Sequence, residues 1–247
     1  MQFTGIIPAR YASTRFPGKP LVTIRGVSMI RRVYEQALKA TSLSHVMVAT
    51  DDQRIFDHVS SFGKVVMTSP HHPSGTDRCF EAATRLQDEL KISASDVIVN
   101  IQGDEPFVQP EQIEELCRCF ERKEVSLATL IKKISENEDV FNENIVKVVS
   151  DQQGRALYFS RSPIPFLRGA KKDDYLKNHA YFRHIGMYAY KMKVLEQITK
   201  LAPSSLEQAE SLEQLRWLQN GFDLHVRETF FDSQGIDTPG DLESYQQ

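Results

Sequence analysis

The sequence predicts an α/β fold built on an open, doubly wound, mostly parallel sheet. Three observations lead there. Four apolar runs in the first half of the chain are rich in Val and Ile along their whole length, as strands covered on both faces are. Between them lie segments whose apolar residues recur at helical spacing. Such β–α alternation calls for right-handed crossovers, which put helices on both faces of the sheet.

The elements follow in order. "FTGIIPA" (3–9) is the first strand. Met29, Ile30, Val33, Tyr34, Ala37 and Leu38 then share one helical face. "HVMVAT" (45–50) is the second strand, and Asp51 and Asp52 are candidate N-caps for a helix whose stripe is Ile55, Phe56, Val59 and Phe62. "KVVMTS" (64–69) is the third, followed by a helix that Ser74 or Thr76 can cap, with Phe80, Ala83 and Leu86 inward. "VIVNIQ" (97–102) is the fourth, and Pro110 suits the first helical position before Ile113, Leu116, Cys117 and Phe120.

After residue 125 the pattern changes. "LATLIKKI", "IVKVVSD" and "HIGMYAYK" read as strands with fewer helices between them, while "YFSRSPIPFLRGAKKDD" reads as a long irregular stretch. The expectation is a mixed sheet with an inserted β-rich lobe around 155–190, all within one domain, 1–247. "SLEQAESLEQLRWL" (205–218) reads as one helix with Leu206, Ala209, Leu212 and Leu215 inward, so that Glu207, Glu210 and Gln214 share the opposite side.

Composition excludes several classes. No run of about 18 apolar residues exists, so no membrane span is expected. The N-terminus lacks a basic-then-apolar signal pattern, which points to the cytoplasm. Cys79, Cys117 and Cys119 are odd in number and lack metal spacing, as reduced packing residues do. The net charge of −3 hides an asymmetry: residues 1–34 hold Arg10, Arg15, Lys19, Arg25, Arg31 and Arg32 and no acid, leaving 24 bases against 33 acids elsewhere. Nucleic-acid binding needs an extended basic face with aromatics, so a compact pocket for a small polyanion fits better.

In open α/β sheets ligands sit beyond the C-terminal strand ends, and the distinctive residues lie there. The loop after the first strand carries Arg10, Arg15 and Lys19, donors suited to phosphate oxygens, stiffened by Pro8, Pro17 and Pro20. It is neither a P-loop nor a G-x-G-x-x-G turn. In "NIQGDEP" (100–106) Asp104 stands where a carboxylate can hold Mg²⁺ against bound phosphates, with Gly103 permitting the turn. Asp237, before Thr238 and Pro239, is either a second carboxylate for the same ion or a helix cap. Ser74, Gly75, Thr76 and Arg78 can meet a nucleotide at a helix N-terminus. The adjacent His71 and His72 do not converge on zinc. The row of acids on 205–218 is either a solvated face or a reader of sugar hydroxyls. Arg161, Arg183 and His184 are cations fit for a substrate carboxylate.

Taken together, "IIPARYASTRFPGKPL", "ATDD", "HPSGTDR", "VIVNIQGDEP", "VKVV", "YFSR", "RHIGMYAY", "LEQLR" and "GIDTPGDLE" closely resemble the 3-deoxy-manno-octulosonate cytidylyltransferases, or CMP-Kdo synthetases. The likeness spans essentially the whole chain. It implies a Rossmann-like nucleotidyltransferase fold, a homodimer formed through the inserted lobe, and Mg²⁺-dependent coupling of CTP to Kdo for lipopolysaccharide assembly. Carried over by motif, Arg10, Ser13, Arg15 and Lys19 would hold the triphosphate, and Ser74, Gly75, Thr76, Arg78 and Gln102 would approach the cytidine. Asp104 and Asp237 would ligate magnesium and, with Arg10 and Lys19, form the catalytic set. Arg161, His184, Glu210 and Gln214 would line the Kdo pocket. The chain departs from the family in having Ser205 before Leu206, Gln208 where His is common, and an extra proline after Arg161.

Three other readings compete. A CMP-sialic acid synthetase shares the CTP half and differs in the sugar acid. A metal-dependent glycosyltransferase typically shows an Asp-x-Asp strand end, where this chain has "GDEP". A noncatalytic nucleotide-binding module has no use for two separated metal carboxylates.

Overall fold

In the computed structural model, residues 1–12, 16–232, 235–236, 238–243 and 245 are described. β1 (Phe3–Ala9) leads to a 3-10 turn at Lys19–Leu21 and a two-rung hairpin, β2 (Thr23–Ile24) and β3 (Val27–Ser28). Then come α1 (Met29–Ala37), β4 (Leu43–Thr50), α2 (Gln53–Ser60), β5 (Val65–Met67), α3 (Gly75–Arg85), α4 (Gln87–Leu90), β6 (Val97–Asn100) and α5 (Pro110–Arg118). The second half runs β7 (Leu127–Lys133), α6 (Asn137–Phe141), β8 (Lys147–Ser150), β9 (Ala156–Ser160), α7 (Tyr175–Asn178) and β10 (Phe182–Lys191). It closes with α8 (Met192–Ile198), α9 (Ser205–Glu210), α10 (Gln214–Gln219), β11 (His225–Glu228) and α11 (Pro239–Glu243).

The main sheet has the order β11-β7-β10-β6-β1-β4-β5. β5, β4, β1 and β6 pair in parallel, as the Val/Ile-rich runs predict. β10 is antiparallel to both β6 and β7, and β11 is parallel to β7. β7 and β11 therefore run the same way as β6, and the C-terminal ends of all the parallel strands open along one edge. That edge is where the site forms.

Alternation along the strands divides the core. Ile7, Val48, Val97 and Val99 pack with Ile30, Val33, Ile55 and Ile113 from α1, α2 and α5 on one face. Ile6, Met47, Ala49 and Ile98 pack with Cys79, Ala82, Leu195 and Trp217 on the other. Helices cover both faces, as expected for a doubly wound sheet. The helix starts follow the predicted chemistry: Asp52 accepts from Arg54 N–H, Ser74 accepts from Asp77 N–H, and Pro110 opens α5. All three cysteines are free and buried.

The second half differs from expectation in three places. β9 runs into the start of the stretch read as irregular, and the β8–β9 hairpin begins at Lys147, joining the main sheet through β10. Residues 161–181 hold short helical turns and no strand, sealed by Ile134, Val140, Tyr175 and Tyr181. The 205–218 helix is broken, because Ser211 adopts a left-handed backbone (φ 51) that ends α9 before α10 starts. The break rotates the two halves apart, so Ala209 is exposed and Gln214 is buried. Glu207, Glu210 and Gln214 do not share a face.

Candidate active site

A cleft of about 230 Å³ opens at the C-terminal ends of β1 and β6, against the start of α3. Arg10, Lys19 and Pro20 line one side, Ser74, Gly75 and Arg78 another, and Gln102, Gly103 and Asp104 a third. Each wall comes from a loop singled out by the sequence.

The backbone approaches closely here. A Cβ on Gly103 would lie 2.7 Å from the Pro8 carbonyl oxygen, so the glycine is needed for the contact between the two loops, with no left-handed turn involved. Gly75 lies against Pro8 in the same way, its virtual Cβ 3.3 Å from the proline ring. Gly18 is left-handed (φ 73), and its N–H closes the loop by donating to Tyr11 C=O at 2.9 Å.

Lys19 is nearly buried, and its Nζ lies 2.8 Å from Asp104 Oδ2. The Asp104 carboxylate is one-third exposed to the cleft. The Asp104 carbonyl accepts from Ile236 N–H at 2.9 Å, which brings the segment carrying the second predicted acid against the first. Ser13, Arg15 and Asp237 lie outside the described residues. Thr238 starts the last helix, its hydroxyl accepting from Asp241 N–H while the Asp241 carboxylate accepts from Thr238 N–H. Ile236 and Leu242 pack with Ile24, Met29, Phe16 and Phe107, a small core linking the basic loop, the Asp104 loop and the C-terminal segment.

Arg10 is exposed at the cleft mouth. Arg78 reaches the cleft wall, but its guanidinium is buried and donates to Thr68 Oγ1 at 2.6 Å and Asp51 Oδ2 at 2.8 Å. It braces the strand ends. Ser74 caps α3, exchanging hydrogen bonds with Asp77, and Gln102 donates from Nε2 to Gly186 C=O at 2.7 Å. His72, also on the cleft wall, pairs with Glu81.

The residues expected for the sugar form a second cluster. The Glu210 carboxylate accepts from Ser160 OH at 2.6 Å and Arg161 N–H at 2.9 Å. Arg161 in turn donates from Nε to Glu210 C=O at 2.7 Å and from NH1 to Glu143 C=O at 2.9 Å. Gln214 is buried, and its Nε2 has no hydrogen-bond partner among the described residues. Such an orphan donor fits a ligand.

His184 corrects an expectation. Its Nε2 lies 3.0 Å from Thr129 Oγ1, and its ring packs against Phe159 and Tyr188. Burial pushes its pKa down to about 3, so the ring is neutral near pH 7. It can exchange hydrogen bonds, but it is no cation for a carboxylate. Arg183 is likewise engaged, with Asp232.

Two links join the clusters. One is Gln102 to Gly186, two residues along β10 from His184. The other is Thr76 Oγ1, which donates to Glu213 Oε2 at 2.9 Å, next to Gln214. Sequence reasoning missed Glu213, since on an unbroken helix it looked like one more surface acid. Burial raises its pKa. Thr129 and the Tyr11–Arg54 pair were missed for another reason: Thr129 meets His184, and Arg54 stacks on the Tyr11 ring, across segments far apart in the chain.

Among the described residues no three His, Cys, Asp or Glu side chains form a metal cage, and no helix is long and apolar enough to cross a membrane.

This fold and cleft are those of an α/β nucleotidyltransferase, and the chain belongs to the cytidylyltransferase family, matching it over residues 4–228. It is 55% identical over 244 residues to the 3-deoxy-manno-octulosonate cytidylyltransferase of Cytophaga hutchinsonii, covering 98% of this chain and 95% of that one. The enzyme of that name from Bacteroides thetaiotaomicron is 54% identical, covering 98% and 96%. Among solved structures, a CMP:2-keto-3-deoxy-manno-octonic acid synthetase complexed with CTP superposes with a TM-score of 0.90 at 40% identity, covering 100% of this chain and 97% of that one. A cytidylyltransferase from Leptospira borgpetersenii, 14% identical with a TM-score of 0.62, shares the fold alone.

Proposed function

We propose that the protein transfers CMP from CTP to 3-deoxy-manno-octulosonate, releasing pyrophosphate, in the cytoplasmic supply of activated Kdo for lipopolysaccharide. The observation that carries this reading is the 55% identity to a Kdo cytidylyltransferase over 98% of the chain. The cleft's chemistry agrees with it.

The sugar's anomeric hydroxyl attacks the α-phosphorus of CTP, an O–P bond forms, and the bond to the β-phosphate oxygen breaks. Such a step needs alignment and charge neutralisation more than covalent help. Arg10 and Lys19 receive phosphate oxygens at the end of β1, and Ser13 and Arg15, by their motif, serve the same triphosphate. The N-terminus of α3, with Ser74, Gly75 and Thr76, favours negative charge. Arg78 and Gln102 hold the cleft walls in register, through Asp51 and Thr68 and through Gly186. Arg161 receives the sugar acid's carboxylate, since three of its five N–H groups serve backbone carbonyls and two remain. Glu210 orients Arg161, while His184 and Gln214 bond hydroxyls as neutral groups.

Magnesium fits the donors present. A partly exposed carboxylate on Asp104, hard in character and beside the phosphate site, suits an ion that takes few protein oxygens and several from substrate and water. Asp104 and Asp237 would hold it, and it would supply Lewis-acid stabilisation of phosphate charge. The chain forms a homodimer through its inserted lobe, where Phe166 is 76% exposed and Leu157 is 62% exposed.

The test is pyrophosphate release with CTP, Mg²⁺ and Kdo, run against other nucleoside triphosphates and against sialic acid. Release with CTP and Kdo above all other pairs supports the reading; equal or greater release with sialic acid overturns it.

A further inference from the structure

Lys147 opens β8 and is wholly buried. Its ammonium donates to Arg161 C=O at 2.5 Å, Ile145 C=O at 2.6 Å and Asn142 C=O at 2.7 Å. Three donors meet three acceptors. None of these carbonyls belongs to the β8–β9 ladder: Asn142 and Ile145 precede β8, and Arg161 follows β9. Burial lowers the pKa of the amine, with the Glu210 carboxylate opposing the shift.

A buried cation is a poor device for stability alone, since an apolar side chain of similar volume often serves as well. What the ammonium does here is geometric. Arg161 is gripped at both ends of its backbone, the carbonyl by Lys147 and the N–H by Glu210. Its guanidinium rests on the carbonyls of Glu143, Glu210 and Ser211. Glu143 lies between two residues that Lys147 also holds. The same ammonium thus sets the origin of the Arg161 side chain and one of the supports on which its guanidinium lies.

We propose that Lys147 is a positioning residue for the sugar-acid substrate, locking the backbone that carries Arg161 and through it the guanidinium that receives the substrate carboxylate. The inference rests on the carboxylate role given to Arg161 above. Lys147, with no exposed surface, acts through Arg161 and not on a substrate directly.

Steady-state kinetics of Lys147→Met, Arg161→Ala and the double variant test it. Unpaired buried carbonyls should let Arg161 drift, raising KM for Kdo roughly tenfold or more while KM for CTP stays within about twofold. The double variant should then be no worse for Kdo than Arg161→Ala alone, because one change acts through the other. A joint rise of both KM values, or effects that multiply, would mean a structural role only. An unchanged KM for Kdo in Arg161→Ala would instead sink the carboxylate reading and the inference with it. If Lys147→Met does not fold, hydrogen exchange on the unaltered protein decides. The Arg161 and Ser162 amides should be protected before Kdo is added and unchanged after; protection arising only with Kdo would overturn a preformed site.

Discussion

Lys19 Nζ and Asp104 Oδ2 lie 2.8 Å apart although 85 residues separate them in the chain. The pair couples the cationic loop after β1 to the acid after β6 and so ties two sides of the cleft together. Each side chain holds the other in place before a substrate arrives.

Lys19→Ala should lower kcat/KM by about 10²–10³-fold, the scale of losing one preorganised charge donor at a reacting centre. The fold should survive, because Lys19 lies at the cleft wall outside the two main cores. Pyrophosphate release and a circular-dichroism melt measure the two effects. Near-native turnover would remove Lys19 from the phosphate site.

Chelation of divalent ions should abolish pyrophosphate release, and added Mg²⁺ should restore it. Asp104→Asn keeps the shape but loses the charge, so its Mg²⁺ activation curve should move to higher concentration with a lower plateau. An activation curve identical to that of the unaltered enzyme would rule out Asp104 as a ligand.

Arg54 stacks 3.3 Å from the centre of the Tyr11 ring and is itself held by Asp52. Another neighbour of that ring is Gly18, where a Cβ would come within 3.1 Å. Arg54→Ala should raise KM for CTP about two- to fivefold, as loss of an exposed cation–π contact predicts, with kcat little changed. Gly18→Ala should act more strongly, since it adds left-handed strain of roughly 1–2 kcal/mol to the clash. A KM for CTP unmoved in both variants would show that the stack does not order the loop.

His184 gives a pH signature. Its pKa is about 3 in the folded protein against an ordinary 6.5, so the unfolded chain binds the extra proton first as pH falls. The stability it contributes is complete above pH 6.5 and declines below it by up to about 1.4 kcal/mol per pH unit until pH nears 3. Urea midpoints of His184→Gln between pH 4 and 8 should fall less steeply on acidification than those of the unaltered protein. Parallel curves would place the imidazole in a wetter site than the structure shows.

Ser211 holds a left-handed backbone, and only its carbonyl contacts Arg161. Ser211→Gly should therefore stabilise the protein by about 0.5–1 kcal/mol, read as a higher urea midpoint. A lower midpoint would mean that the glycine's extra freedom in the unfolded chain outweighs the relieved strain.

Much of the frame was legible in the residues themselves. β1 and the helix starts at Asp52, Ser74 and Pro110 follow from local periodicity and capping chemistry, which act over a few residues. The cleft walls were legible too, because a charge-pure loop and a glycine–acid turn both stood at strand ends. The break at Ser211 was not. Leu206, Leu212 and Leu215 keep helical spacing across it, and nothing local marks serine as left-handed. His184 was also read too freely, as a cation.

What the amino-acid order determined alone is the alternation of strand and helix and the concentration of positive charge in the first 34 residues. What only the tertiary structure decided is which polar group meets which: Lys19 with Asp104, Arg78 with Asp51, Thr76 with Glu213, and Arg161 with Glu210. The physical reason is range. Periodicity and capping are set by neighbours within a turn or two of the chain, whereas burial and hydrogen-bond partnership depend on segments tens of residues apart that only folding brings together.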